Sequence, residues 1–203
     1  MRKFLIGLIL SLSLTLPVLA EDCMKSADEI LAELGTEYPQ FLIVTTQGNI
    51  TVELDARKAP LTVANFYALV KEDFYVDTIF HRVINGFVAQ GGGITSDYQA
   101  KDTPGQIPNE SGNGLKNRRG TIAMARTNKP HSATTQFFFN LVDNAELDPL
   151  ATRWGYAVFG EVKDGLDVLD RIAHLPTGPS PDGSLTSDVP ATPVVIKSIT
   201  LVQ

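Results

Sequence analysis

The chain has 203 residues, 43% of them hydrophobic and 20% charged, ordinary values for a globular protein whose length suits one domain and a short extension. Its 17 basic and 23 acidic residues give a formal net charge of −6, which argues against a general nucleic-acid binder, since such proteins need a basic surface. The single cysteine, Cys23, excludes an internal disulfide and a cysteine-rich metal cluster.

The chain opens with Met1-Arg2-Lys3, an apolar run over residues 4–16, then Pro17 and Val18-Leu19-Ala20. A basic start, an apolar stretch of this length and a small residue at its end predict a secretory signal peptide over residues 1–20. A membrane anchor is the rival, but the run is short for a span of about 20 residues. Cleavage would remove Arg2 and Lys3 from the 17 basic residues and no acid, leaving 15 against 23 and a net charge of −8. An exported, periplasmic bacterial protein with no membrane contact after signal removal is the simplest reading. Cys23 follows the charged Asp22, unlike a lipid-acceptor cysteine. It reads as incidental, with intermolecular pairing or a free thiol as alternatives.

Residues 21–40 read as an N-terminal extension. Ser26-Ala27-Asp28-Glu29 carries the spacing of a capping box. It predicts a short helix with Ile30, Leu31 and Leu34 on its apolar side, ending at Gly35. Strands follow at 41–46 and 50–54, flanking the turn Gln47-Gly48-Asn49. "PLTVANFYALVK", residues 60–71, has Val63, Phe66, Tyr67 and Val70 at helical spacing. Asn85-Gly86 joins strands at 79–84 and 87–90 as a hairpin. Further strands are expected at 121–125, 136–142, 157–162 and 194–202, and a helix at 164–173. "PTGPSPDGS", residues 176–184, is a loop. Eight strands with two helices beyond the N-terminal one suit a mainly β fold, a closed β-barrel capped at its ends, because closure removes exposed strand edges.

Much chemistry is missing. His81, His131 and His174 do not lie at zinc-ligand spacing. Gly91-Gly92-Gly93 is neither a dinucleotide fingerprint nor a phosphate-binding loop, and reads as permitting a bend or tight packing. No G-x-S-x-G elbow occurs, and Cys23 lies outside the main domain, so covalent catalysis has no strong candidate. Asp143 and Glu146 read as a solvated loop. No cofactor or metal is expected.

What remains is "TIFHRVINGFVAQGGG", residues 78–93. Arg82 sits in the first strand and Gln90 at the end of the second, among Phe80, Ile84, Phe87 and Val88. Taken singly, a strand arginine is usually a surface ion pair, Phe87 and Phe138 are core aromatics, and Gln90 is an edge amide. His81 is adjacent to Arg82, but alternation turns it to the opposite face, which makes it structural or supporting. Phe87 and Gln90 are three apart, so a flat strand would separate them. Both can meet one ligand only if the strand bends or bulges, as Gly86 and Gly91 would permit.

"FHR" at 80–82, "GFVAQGG" at 86–92, "GTIAMA" at 120–125, "SATTQFF" at 132–138, "LD" at 147–148 and "GYAVFG" at 155–160 occur in family order. On these motifs the sequence resembles the cyclophilin family of peptidyl-prolyl cis-trans isomerases over about residues 41–203. The resemblance implies an eight-stranded closed antiparallel β-barrel with two capping α-helices. It implies acceleration of rotation about X-Pro bonds in unfolded or partly folded exported polypeptides. Arg82 would be catalytic, hydrogen bonding to the prolyl nitrogen, and Gln90 would hold the substrate backbone. Phe87, Val88, Phe138, Leu147 and Tyr156 match the proline pocket, and Ala125 and Gln136 match neighbouring contacts.

Three positions depart from many eukaryotic members. Arg126, a further substrate-contact position, replaces asparagine, Tyr156 replaces histidine and Glu146 replaces tryptophan. Tyr156 resembles the bacterial branch. The missing indole predicts weak binding of cyclosporin, a ligand of the family, with Trp154 close enough in sequence to compensate in part. The alternative function is a chaperone or scaffold that grips proline-containing segments with incidental isomerisation; a more distant one is a barrel hydrolase using the acids near Asp143. The set Arg82, Phe87, Gln90 and Phe138 favours the isomerase, because a pure scaffold need not retain the arginine.

Overall fold

The computed structural model describes residues 26–202; the predicted signal peptide and Cys23 lie outside the described residues. The strands are β1 (Gln40–Thr45), β2 (Gly48–Leu54), β3 (Arg82–Ile84), β4 (Val88–Gly91), β5 (Thr121–Met124), β6 (Phe137–Asn140), β7 (Val158–Asp164), β8 (Thr177–Gly178), β9 (Val189–Pro190) and β10 (Ile196–Leu201). The helices are α1 (Ala27–Leu34), α2 (Pro60–Lys71) and α3 (Leu166–Ala173). All eight strands expected from sequence enter one antiparallel sheet, in the order β10-β1-β2-β7-β5-β6-β4-β3. Only β8 falls in the stretch 176–184 expected to be loop; it pairs with β9, beyond that stretch, as a second small sheet.

Full barrel closure is corrected. The terminal strands β3 and β10 share no ladder, so the sheet is a half-barrel. The expected strand at 79–84 is divided, and only its second half pairs with β4. Its first half stitches the open side through a bridge between Ile79 and Val195. Phe80 N donates to Val194 O at 3.0 Å and Ile196 N to Thr78 O at 2.8 Å. This short seam covers the edges that an open sheet would expose.

α2 caps one end as expected. Pro60 opens it, where a missing N–H costs nothing. The Glu110 carboxylate satisfies the first turn, accepting from Leu61 N, Thr62 N and Thr62 Oγ1 at 3.1, 2.8 and 2.6 Å. Phe66 from this helix packs against Phe41, Tyr75, Phe137 and Phe159 with ring centroids 5.2–5.9 Å apart. α3 begins two residues later than expected because β7 runs on to Asp164. Gly165 then turns the chain at φ 92°, where an added Cβ would meet Asn49 O at 2.4 Å. In the extension, Ser26 and Glu29 form both halves of the capping box. α1 packs on α2, with Leu34 buried and Glu33 paired to Lys71 at 2.6 Å. Among the described residues no helix is long and apolar enough to cross a membrane.

The sheet separates two apolar clusters. The main core holds Phe41, Phe66, Ala89, Phe137, Phe139 and Phe159, among others. A smaller one on the outer face consists of Val88, Ala123, Phe138 and Val158, flanked by Phe87, Leu115, Ala125, Leu147 and Tyr156. Three consecutive phenylalanines in β6 thus face in alternation, two inward and Phe138 outward.

His81 turns inward, as alternation requires. It is 7% exposed and its Nδ1 has no partner. Burial, opposed by a backbone hydrogen bond with Ile79 and helped slightly by the Arg82 charge, lowers its pKa from 6.5 to about 4. The unfolded chain therefore binds this proton before the native one does. Its contribution to stability should be complete above pH 6.5, decline as pH falls toward 4, and level off below, a loss of roughly 3 kcal/mol. Urea midpoints measured across that range should show the slope in the wild type and a shallower one in His81→Phe.

Candidate active site

The outer-face cluster is assembled by ladder register. Arg82 of β3 lies opposite Gln90 of β4, Gln90 opposite Phe138 of β6, Phe138 opposite Ala123 of β5, and Ala123 opposite Val158 of β7. A guanidinium, an amide and an apolar floor thus form one row across five strands, at the ~5 Å spacing of cross-strand neighbours. Above this row is a hollow of about 350 Å³ lined by Arg82, Phe87, Val88, Gln90, Ala125, Arg126, Phe138, Leu147 and Tyr156. Nine of the ten site residues named from the sequence therefore meet there.

Phe87 reaches the hollow without the expected bulge; the β3–β4 and β4–β6 registers are unbroken. It sits in the turn instead, its N–H donating to Ile84 O at 3.0 Å across Gly86 at φ 74°. Outside the strand, it escapes the alternation that would have sent it inward. Gln136, the tenth residue, is half-buried and outside the lining of the hollow. Its Oε1 accepts from Gln90 Nε2 at 2.8 Å, so it orients the amide that faces the hollow and does not line it.

The two arginines of the site differ sharply. Arg126 donates from Nε to Gly155 O at 3.1 Å, from Nη1 to Thr127 O at 2.9 Å and from Nη2 to Trp154 O at 3.0 Å. It also lies 4.5 Å from the Tyr156 ring centroid, and that ring meets Phe138 edge-on at 5.6 Å. Arg126 is a clamp on the loop that carries Tyr156, with few donors left for a ligand. The Arg82 side chain makes no hydrogen bond to any described residue. Its guanidinium is 6.0 Å from the Phe87 ring centroid, and Nε is 3.9 Å from Asp188 Oδ2. Its terminal nitrogens are open to whatever enters the hollow.

Supporting residues were not visible in the sequence. Asn117, Asn140 and Asn144 are all buried. Asn144 Nδ2 donates to Phe87 O at 3.0 Å and to Asn140 Oδ1 at 2.7 Å; Asn140 Nδ2 donates to Asn117 Oδ1 at 3.1 Å and Thr121 Oγ1 at 2.9 Å. Asp148 accepts from Asn117 N and Nδ2 at 2.8 and 3.1 Å. Partial burial opposes ionisation of Asp148, but these bonds and Lys116 hold its carboxyl below the usual range. The network ties the Phe87 turn to the Leu147 loop. Trp154 does not fill the place of the missing indole. It packs edge-on to His131 at 4.9 Å and lines a separate hollow with Pro149 and Leu150.

Residues 41–201 match the family model described as "Cyclophilin type peptidyl-prolyl cis-trans isomerase/CLD". The chain belongs to this family. It is 51% identical over 160 residues to peptidyl-prolyl cis-trans isomerase B of Escherichia coli (strain K12), covering 77% of this chain and 96% of that one. It is 48% identical over 172 residues to peptidyl-prolyl cis-trans isomerase A of Dickeya dadantii (strain 3937), covering 83% and 87%. Among solved structures, a cyclophilin type peptidyl-prolyl cis-trans isomerase of Cryptosporidium parvum superposes with a TM-score of 0.67 at 27% identity, over 82% of this chain and 98% of that one. The same protein in the presence of the dipeptide ala-pro gives 0.66 at 28% identity, over 81% and 99%. The protein is a peptidyl-prolyl cis-trans isomerase with bacterial relatives at about half identity.

Proposed function

We propose that this isomerase acts on proline-containing segments of exported polypeptides, with Arg82 hydrogen bonding to the prolyl nitrogen as the bond turns. An X-Pro amide resists rotation because of its partial double bond, with a barrier of about 18–20 kcal/mol. Uncatalysed exchange takes tens to hundreds of seconds, so a millisecond turnover requires roughly 7 kcal/mol of barrier lowering. At the twisted transition state conjugation is lost and nitrogen recovers its lone pair. A donor aimed at that lone pair favours the transition state over the planar ground state. No covalent bond to the enzyme is needed.

The observation that carries this reading is that Arg82 has uncommitted terminal nitrogens at the rim of a largely apolar hollow of about 350 Å³, room for a proline ring and its neighbours in the chain. One charge-assisted hydrogen bond is worth about 1.5–3 kcal/mol. The remainder must come from fixing one side of the amide while the other turns, in a preorganised site. Phe138, Val88 and Tyr156 would hold the ring, and Gln90, oriented by Gln136, would hold the chain. The ala-pro dipeptide used with the Cryptosporidium relative supports a proline-containing ligand.

In a peptide isomerisation assay, Arg82→Ala should lower kcat/KM by roughly 10- to 150-fold, and Arg82→Lys should restore only part, because an ammonium lacks the planar fork. Unchanged turnover in Arg82→Ala would remove the mechanism. If that variant still assists a proline-limited client as well as wild type, the chaperone or scaffold reading gains instead. Cyclosporin should inhibit only above the micromolar range, since Glu146 is exposed and Trp154 faces elsewhere; a submicromolar constant would contradict this. The export reading rests on residues 1–20. Cell fractionation should recover a periplasmic form beginning near Glu21, and an uncleaved cytoplasmic chain would refute it.

A further inference from the structure

The Pro- and Gly-rich stretch at 176–184 and the residues after it have no part in the mechanism above, yet they end against Arg82. β8 pairs with β9, Thr177 opposite Pro190 and Gly178 opposite Val189. The intervening loop is held by its own side chains. Ser180 Oγ donates to Asp182 Oδ1 at 2.6 Å, and Leu185 N donates back to Ser180 Oγ at 2.9 Å. At its exit Asp188 adopts φ 63°, a left-handed conformation that Asp and Asn tolerate better than most residues. Asp188 O accepts from Val83 N at 2.8 Å. The loop is thereby fastened to the free edge of β3, one residue from Arg82.

This placement sets the Asp188 carboxylate beside the guanidinium. Oδ2 lies 3.9 Å from Arg82 Nε and accepts from Ser187 Oγ at 3.0 Å. No other ion-pair partner of Arg82 occurs among the described residues. The contact falls on the Nε edge, leaving both terminal nitrogens for the ligand. With the Phe87 ring on another side, the guanidinium is bracketed by an aromatic face and an anion.

We propose that Asp188 is a positioning residue, holding Arg82 by its Nε edge so that the terminal nitrogens face the turning proline. The inference rests on the reading of Arg82 given above. Both side chains are about 40% exposed and their separation exceeds hydrogen-bond distance, so the interaction is a screened attraction of modest size. It orients a long side chain that would otherwise sample several rotamers. The loss on removing it should fall on kcat, because the apolar wall that binds the ring is untouched.

The test uses NMR exchange measurements on an Ala-Pro peptide, which separate turnover from affinity. Asp188→Asn removes the charge while keeping a side chain that tolerates φ 63° and the backbone bond to Val83; Asp188→Gly checks the result with the backbone unstrained. Each is made alone and in the Arg82→Ala background. Asp188→Asn should lower kcat roughly three- to fivefold with affinity and melting temperature unchanged, and Asp188→Gly should match it. Neither should change the residual rate of Arg82→Ala. In 1 M salt, where the screening length is about 3 Å, the gap between wild type and Asp188→Asn should narrow. Wild-type kcat in Asp188→Asn, or an equal loss in the Arg82→Ala background, overturns the inference while leaving Arg82 in place. Full activity in Arg82→Ala overturns the Arg82 reading and this one with it.

Discussion

The site depends on the register of β4 between β3 and β6. That register alone brings Arg82, Gln90 and Phe138 into one row. A slip of one residue would turn Gln90 into the phenylalanine core and present Ala89 to the hollow. Burial does not prevent such a slip in β6, because Phe137, Phe138 and Phe139 are equally apolar and both faces of the strand are covered. Asn140 supplies the missing specificity. Its buried amide bonds to Asn117, Thr121 and Asn144, and a shifted register would strand these polar groups at about 1–3 kcal/mol each. The buried asparagines thus fix alignment where hydrophobicity is indifferent.

The same network serves the chemistry. Asn144, four residues past the end of β6, donates to the carbonyl of Phe87 and to Asn140 Oδ1, so the aromatic that flanks Arg82 is held by the network that pins the strand. Gln136 holds Gln90, and Arg126 holds the loop bearing Tyr156. Two groups that would touch a ligand, Gln90 and Tyr156, are thus each held by a neighbouring side chain. Catalysis without covalent chemistry requires this, since misplaced dipoles would have to reorganise during the turn.

The element types were legible because their signals are local. The capping box of α1, Pro60 at the start of α2 and the alternation in β1 and β2 each follow from a few adjacent residues. The hollow was legible through family motifs, which located nine lining residues. Long-range choices were not. Nothing in "RVINGFVAQ" says that Phe87 leaves the strand, because that depends on a turn with only Gly86 left-handed. The half-barrel seam depends on the segment before β3 meeting the segment before β10, 116 residues apart at Ile79 and Val195. Asp188 sits in a serine- and proline-rich loop with no motif, and its relation to Arg82 exists only because β9 lies along β3. Arg126 and Arg82 are the same residue type in the same hollow. Only the hydrogen bonds show that one is committed to carbonyls and the other is not.

That division bears on how an isomerase can bind its substrate without trapping it. Tight, uniform binding of the proline ring lowers the ground state as much as the transition state and gains nothing in kcat. An apolar hollow suits this demand because it holds the ring through contact area and has little preference for the amide's torsion. Discrimination then falls to groups whose contact changes as the bond turns. In the proposed mechanism these are Arg82 and Gln90, direct cross-strand neighbours. The ladder sets the spacing of their backbones at a few ångströms, and Asp188, in the positioning role proposed for it, restrains the longer of the two side chains. A donor for nitrogen and a holder for the chain, fixed to one rigid pair of strands, can select the crosswise amide while the ring pocket stays neutral between cis and trans.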